Sequence, residues 1–270
     1  MGYKVGDNIS KYQSGGRARC GAVQQLIRIV EDIQVFINQD RPTRKGRGFK
    51  NYVILVLLDA SKAFDRVFRP ILLGKIRDEG VDGLLFEVIV AYFSGRHQRV
   101  RVNNSFSEYV ETCHGGPQGS VIMLFAWLIY INDVDGLITE SRKGMFVDDL
   151  SLYIADTDQT RAVARLNDDL QRIYNWSITN HMVFSYSKFH IIDVGGRRMN
   201  QSKLQQISFG QGTPPVSVQA KLLGCMIDSK FSFIPQIVEV TSKMKAVAFK
   251  LRKLATTRSG LSPFELHNIF

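Results

Sequence analysis

An α+β architecture is predicted by three observations. Strands and helices interrupt one another without regular β-α alternation. One unbroken run rich in branched residues, Tyr52 to Leu58, reads as a strand buried on both faces. Several other segments repeat their apolar residues at helical spacing. The 270 residues suffice for one large or two small domains with a buried core. With 44% hydrophobic and 22% charged residues, the composition excludes a disordered tail and a membrane bundle. The longest apolar run, Val121 to Ile131, is too short to span a bilayer, and no signal-peptide pattern opens the chain.

The elements follow in chain order. Val23, Leu26, Ile27, Val30, Ile33 and Phe36 or Ile37 predict a helix over 22–37 with one buried face. A basic loop, 40–50, precedes the strand 52–58, which stops at Asp59. Helices are expected over 69–79 and 83–93. Residues 98–102 and 106–112 alternate around Asn103-Asn104-Ser105, a hairpin signature. A long buried helix is expected over 120–137, and a strand hairpin over 145–154 with Asp148-Asp149 at its turn. A helix over 159–177, short strands near 188–194, 205–209 and 221–227, and an amphipathic helix over 233–254 complete the reading. No repeat or low-complexity segment interrupts it.

The cysteines, Cys20, Cys113 and Cys225, are far apart without a C-x-x-C, which argues against a disulfide scaffold or a zinc site. An intracellular, reducing compartment fits such usage. Charge carries more information: 35 Lys and Arg against 25 Asp and Glu give a formal net charge of +10. A basic excess attracts polyanions, although a merely basic soluble surface explains the total equally well. Clustering favours nucleic acid. Arg41, Arg44, Lys45, Arg47 and Lys50 crowd one loop, and Arg96, His97, Arg99 and Arg101 crowd another.

Chemistry points to carboxylates. Asp59 ends a fully apolar strand, where a buried charge is costly unless a cation or donor meets it. Asp148 and Asp149 lie between Met145-Phe146-Val147 and Leu150-Ser-Leu-Tyr-Ile154. Like charges side by side in an apolar hairpin repel, and a divalent cation resolves the conflict. A plain turn explains the pair slightly better on chemistry alone, since Asp is common in turns. If the two strands are neighbours, the carboxylates suit two metal ions about 3.5–4 Å apart, as in in-line phosphoryl transfer.

Three strings occur in order: Leu58-Asp-Ala-Ser-Lys-Ala-Phe-Asp-Arg-Val67, Gly116-Pro-Gln-Gly-Ser120 with Tyr130-Ile-Asn-Asp133, and Phe146-Val-Asp-Asp149. This ordered set resembles the reverse transcriptase domain of non-LTR, LINE-like retrotransposons of the jockey and CR1 type, over nearly the whole chain. Gln13-Ser-Gly-Gly-Arg17 resembles the family's fingers string, Trp176 to Lys188 its motif D, and Lys221-Leu-Leu-Gly224 its primer grip.

The resemblance implies a right-hand polymerase. Residues 1–50 correspond to partial fingers, 51–230 to the palm and 231–270 to the start of a thumb. It implies RNA-directed DNA synthesis from an RNA template, a DNA primer and dNTPs, with two Mg²⁺ ions for which Mn²⁺ substitutes. Asp59, Asp148 and Asp149 become the catalytic, metal-binding carboxylates, helped by the Leu58 or Ala60 carbonyl. Phe64 becomes the steric gate beneath the incoming sugar. Gln118 and Gly119 approach the nascent pair, Lys188 neutralises or protonates pyrophosphate, and Arg17 contacts triphosphate, with Arg19 and Lys11 as further candidates. Leu223 and Gly224 form the primer grip.

Partners are implied in the rest of a retrotransposon polyprotein and none in a membrane; the expected location is nucleus or cytoplasm. His181 and His190 read as structural. The expected Phe, Ala and Asn of three motifs are replaced by Gly16, Val147 and Ser185, and Ile122-Met-Leu124 stands where Leu-Ser-Pro is usual. The likeness begins at the fingers and ends inside the thumb, with no endonuclease, so weak template grip is expected. A non-catalytic nucleic-acid-binding remnant is the alternative. A palm-type nucleotide cyclase ranks lower, because Phe64 and the Gly116 string have no work in it.

Overall fold

The computed structural model describes residues 8–17, 19–39, 51–117, 119–195 and 197–255. Helix α1 (Ala22–Asn38) leads to strand β1 (Tyr52–Asp59), followed by α2 (Ala63–Arg66), α3 (Arg69–Asp78) and α4 (Gly83–Phe93). An outlying hairpin holds β2 (His97–Gln98), β3 (Arg101–Val102), β4 (Ser105–Phe106) and β5 (Val110–Glu111). Then come α5 (Val121–Ile131), α6 (Val134–Leu137), β6 (Arg142–Phe146), β7 (Asp149–Asp156) and α7 (Gln159–Thr179). A single 3-10 turn, Tyr186–Lys188, precedes β8 (His190–Asp193), α8 (Gln201–Leu204), β9 (Gln219–Leu222), β10 (Cys225–Asp228) and α9 (Ile234–Ala255). None of the described helices is long and apolar enough to cross a membrane.

The centre is an antiparallel sheet in the order β6-β7-β1-β8. Its two faces explain why β1 has no polar alternation. Ile54, Val56 and Leu58 face a large core shared with Leu72, Trp127, Tyr130 and Leu166. Val53, Leu55 and Leu57 face a second core that takes Ile29 and Ile33 from α1 and Leu222 and Ile227 from β9 and β10. Burying both faces removes every exposed side of the strand, so each residue is apolar until Asp59, the last of the strand.

Helix α1 buries Gln25, Ile29 and Ile33, with Leu26, Phe36 and Ile37 packed alongside, whereas Val23 and Ile27 face solvent. Ser14 Oγ donates to Gln25 Oε1 at 2.6 Å, which makes a buried polar face acceptable where periodicity favoured Val23. Helix α7 starts at Asp158, whose carboxylate accepts from the Thr160 N–H at 2.8 Å.

The helix expected over 120–137 is broken at Asn132-Asp133. There the Asn132 side chain accepts from the Ser10 N–H at 2.8 Å, and Asp133 pairs with Lys75 at 2.8 Å. These tertiary partners outweigh helical continuity. No strand forms over 205–209: α8 precedes it, and Phe209 instead bridges Gly212 across a tight turn. The segment 221–227 is not one strand but the β9-β10 hairpin, turning at Leu223 (φ 48°) and Gly224 (φ 86°). The hairpin expected over 98–112 forms as two short ladders. The basic loop 40–50 lies outside the described residues.

Asp228 ties β10 to α9 by accepting from the N–H groups of Lys230, Ser232 and Phe233 at 3.2, 2.9 and 2.8 Å. Burial pushes its carboxyl up, but these bonds and the Ser232 hydroxyl outweigh burial and hold it below the ordinary value. A depressed folded-state pKa stabilises above the unfolded value and ceases to as pH falls through the folded one. Urea melts are therefore expected to show Asp228→Asn less stable than the natural chain at pH 7, with the gap closing below about pH 4. A gap that persists undiminished at pH 2 would contradict this.

Candidate active site

Strand pairing puts the acidic residues together. In the β1-β7 ladder Asp59 lies directly opposite Asp149. Phe146 pairs with Asp149 across β6-β7, so the turn consists of Val147 and Asp148 alone. Asp149 is thus the first residue of β7 rather than a turn residue.

Val147 has φ 56°, an uncommon backbone conformation for a β-branched residue. Three hydrogen bonds hold it there. The Val147 N–H donates to Gln13 Oε1 at 2.9 Å, and its carbonyl accepts from Trp127 Nε1 at 2.9 Å and Gln13 Nε2 at 3.3 Å. A Cβ on Gly15 would stand 2.5 Å from the Val147 nitrogen, so only glycine lets this segment approach. Gln13 and Trp127 were given no role by the sequence. Gln13 was legible as part of the Gln13-Ser-Gly-Gly-Arg17 string, whereas Trp127 reads as plain core.

The cluster is electrostatically uneasy. Asp149 reaches solvent, yet partial burial, then the charges of Asp148 and Asp59, push its carboxyl up to about 6. Burial and Asp59 also push Asp148 up, against the pull of a backbone hydrogen bond and Lys188. Lys188 Nζ meets both oxygens of Asp59, at 2.9 and 3.1 Å, with its side chain 60% exposed. That pairing raises the lysine above its ordinary value. The Ser185 N–H donates to the Asp59 carbonyl at 3.1 Å, stitching the lysine's segment to the strand end.

Among the described residues, no three His, Cys, Asp or Glu side chains converge into a ready-made metal cage. The donor set nevertheless suits a hard divalent cation, because three neighbouring carboxylates have one ammonium, paired with Asp59, and burial together with the charges of Asp148 and Asp59 raises Asp149. The other oxygens of such an ion's shell would come from ligand or water.

Phe64, Gly119, Ser120, Val121, Met123 and Leu124 line a cavity of about 450 Å³. Phe64 packs on Trp127 with ring centroids 5.6 Å apart, and Gly119 has φ 80°. Gln118 lies outside the described residues. The loop leading into this wall is clamped by buried Arg69, which donates to the carbonyls of Thr112, His114 and Gly115 and to Thr112 Oγ1. Arg69 is a third residue that the sequence did not single out; nothing in its spacing marks it.

Of the remaining predicted residues, Leu223 is brought to Asp149, and the others are not brought to the carboxylates. Arg17 donates to the Ser10 carbonyl at 3.0 Å within its own loop. Leu223, at the β9-β10 turn, borders a crevice with Phe146 and Asp149, and Gly224 follows it in the turn. Arg19 has φ 63°, and Lys11 lies over the Tyr12 ring. His190 contacts Ser217 Oγ, and His181 packs on Phe68, in keeping with structural roles.

A four-stranded antiparallel sheet, backed by helices and carrying acidic residues at two adjacent strand ends, is the palm of a right-hand nucleic-acid polymerase. The same fold occurs in telomerase from Candida albicans, solved with a fragment of telomeric RNA. That match is 10% identical, covers 82% of this chain and 35% of that one, and has a TM-score of 0.54. The reverse transcriptase (RNA-dependent DNA polymerase) family matches residues 10–227, and the chain belongs to that family.

Among curated relatives, a probable RNA-directed DNA polymerase from transposon X-element of Drosophila melanogaster is 25% identical over 93% of this chain. The RNA-directed DNA polymerase from mobile element jockey of Drosophila funebris is 24% identical over 94%. The chain spans 27% of the length of each. The resemblance to jockey-type, non-LTR retrotransposon reverse transcriptases is borne out.

Proposed function

We propose that this chain is the polymerising part of a retrotransposon reverse transcriptase, adding deoxynucleotides to a DNA primer on an RNA template. The observation that carries the reading is the Asp59–Asp149 pairing across β1-β7, with Asp148 in the adjoining turn. A divalent ion there, Mg²⁺ or Mn²⁺, supplies charge neutralisation for phosphoryl transfer. Asp59, Asp148 and Asp149 would hold two such ions, together with the Leu58 or Ala60 carbonyl.

The chain's own groups do the rest. Phe64 closes the floor of the cavity against a 2′-hydroxyl, while Gly119 and the neighbouring Gln118 let backbone and amide approach the nascent pair. Lys188 sits where it can exchange Asp59 for a pyrophosphate oxygen, and Arg17 is held in the loop beside the Val147 turn. Leu223 and Gly224 carry the primer end past Asp149. In this reading residues 1–50 are partial fingers, 51–230 the palm and 231–270 the thumb start. The protein works within the nucleus or cytoplasm beside its RNA and the rest of its polyprotein.

Oligo(dT)-primed poly(rA), incubated with dTTP and either cation, tests the reading: the chain is expected to extend the primer and to stop when the cation is chelated. Binding without extension under both cations would favour the non-catalytic remnant.

Phe64→Val is expected to enlarge the cavity and raise ribonucleotide incorporation relative to deoxynucleotide by roughly ten- to a hundredfold. Single-nucleotide insertion rates with matched dNTP and rNTP give the ratio. An unchanged ratio would return Phe64 to a purely packing role.

A further inference from the structure

The hairpin of β2 to β5 has no packing reason for its composition. Every residue from His97 to Glu111 is exposed, including Val100, Val102, Phe106, Tyr109 and Val110. Its cations are organised on its aromatics. The Arg99 guanidinium lies 3.9 Å from the Phe106 ring centre and 4.7 Å from that of Tyr109, and Arg101 lies 5.5 Å from Phe106. Arg96 lies against Tyr92 at 4.8 Å. Among the described residues, none of these arginines is paired with a carboxylate, although Glu108 and Glu111 belong to the same hairpin.

A cleft of about 650 Å³ is lined by both this hairpin and segments that flank the candidate site in the chain. Lys62, Arg69, Arg96 and His97 line it with the carboxylates of Asp65 and Glu111, beside Gly115 and Pro117. An open basic cleft continued by guanidinium planes and half-exposed rings has the chemistry of a single-strand track. Phosphates meet unpaired cations, and bases stack on rings or guanidinium faces without regard to sequence.

We propose that this hairpin is an arm that grips single-stranded RNA where the template passes through the cleft beside the site. The assignment of the strand as template rests on the polymerase reading; the arm's affinity for a single strand does not. Arg96, Arg99 and Arg101 contact phosphates, and Phe106 and Tyr109 stack bases.

Fluorescence anisotropy of labelled oligo(rA) with the 270-residue chain tests this between 50 and 200 mM salt, a range on the order of that used to read phosphate contacts. The Arg99→Ala/Arg101→Ala variant is expected to bind more weakly, with the log-log salt slope reduced by about 0.7 per arginine. Phe106→Ala is expected to lose roughly five- to a hundredfold in affinity at an unchanged slope, because stacking releases no counterions. Exposed positions leave the fold intact, and melting temperature checks this; Arg99→Gln/Arg101→Gln replaces any variant that melts early.

Affinity and slope equal to the natural chain in all variants would overturn the arm, as would a natural chain that does not bind oligo(rA). Primer extension on the same preparations separates the two ideas. Extension with unaltered RNA binding in the arm variants would sink the arm alone. RNA binding lost in the arm variants, with no extension by the natural chain, would uphold the arm and sink the polymerase reading.

Discussion

Asp148→Ala is expected to cut primer extension by on the order of 10³-fold while leaving the chain folded. The size follows from the charge the site must manage. Transfer of a nucleotidyl group develops negative charge on the departing pyrophosphate, and in the proposed reading an ion held by these carboxylates would offset it. Asp148 belongs to the two-residue turn between β6 and β7, whose geometry is held by Gln13 and Trp127 through the backbone of Val147. Removing the Asp148 side chain therefore leaves the three hydrogen bonds to the Val147 backbone intact. It also relieves Asp149 of a neighbouring charge that helps push it up to about 6, so the fold has nothing to lose electrostatically. Single-turnover extension with saturating template reads the chemical step, and circular dichroism checks the fold. Extension within tenfold of the natural chain would remove Asp148 from the site.

The second large effect is on stability. Asp169 is completely buried on α7, and its carboxylate accepts from the N–H groups of Thr139, Glu140 and Ser141 at 3.0, 3.2 and 2.7 Å. Arg172, one turn later, pairs with it and donates to the Leu137 carbonyl at 2.7 Å. This hub fixes the segment that carries the chain from α6 into β6. Asp169→Ala removes the acceptor of three backbone donors at a fully buried position and the carboxylate partner of Arg172, which keeps the Leu137 carbonyl and the Thr139 hydroxyl. A loss of roughly 3–5 kcal/mol is expected, with the melting temperature falling by about 10 °C. Urea melts measure it, and Asp169→Asn, which keeps one acceptor, is expected to fall between. A loss below about 1 kcal/mol would mean that water or rearrangement satisfies the loop.

The parts legible in the sequence are those where one signal dominated. Strand β1 was readable because double burial forces uniform apolarity, and its end was readable because Asp59 has no apolar excuse. The helices α3, α4 and α7 were readable because their buried faces recur at helical spacing. What escaped was set by partners distant in the chain. The break between α5 and α6 depends on Ser10 and Lys75, neither adjacent in sequence. Likewise, the buried face of α1 contains Gln25, because Ser14 accommodates its amide, and not Val23. The same limit applies to the site. Asp59, Asp148 and Asp149 announce themselves as carboxylates in apolar surroundings, and their ordered motifs name a chemistry. Gln13, Trp127 and Arg69 act through backbone atoms of other segments, and no spacing rule points from a side chain to a remote carbonyl.

The ion pair between Lys188 and Asp59 bears on how the protein is made. Three carboxylates gathered at the ends of the two central strands would resist assembly in a nascent chain that has met no metal. A tethered ammonium on a mostly exposed side chain supplies a provisional counter-charge from within the polypeptide. Folding would thereby be uncoupled from ion supply: a cation entering this cluster would exchange against a lysine that already meets Asp59.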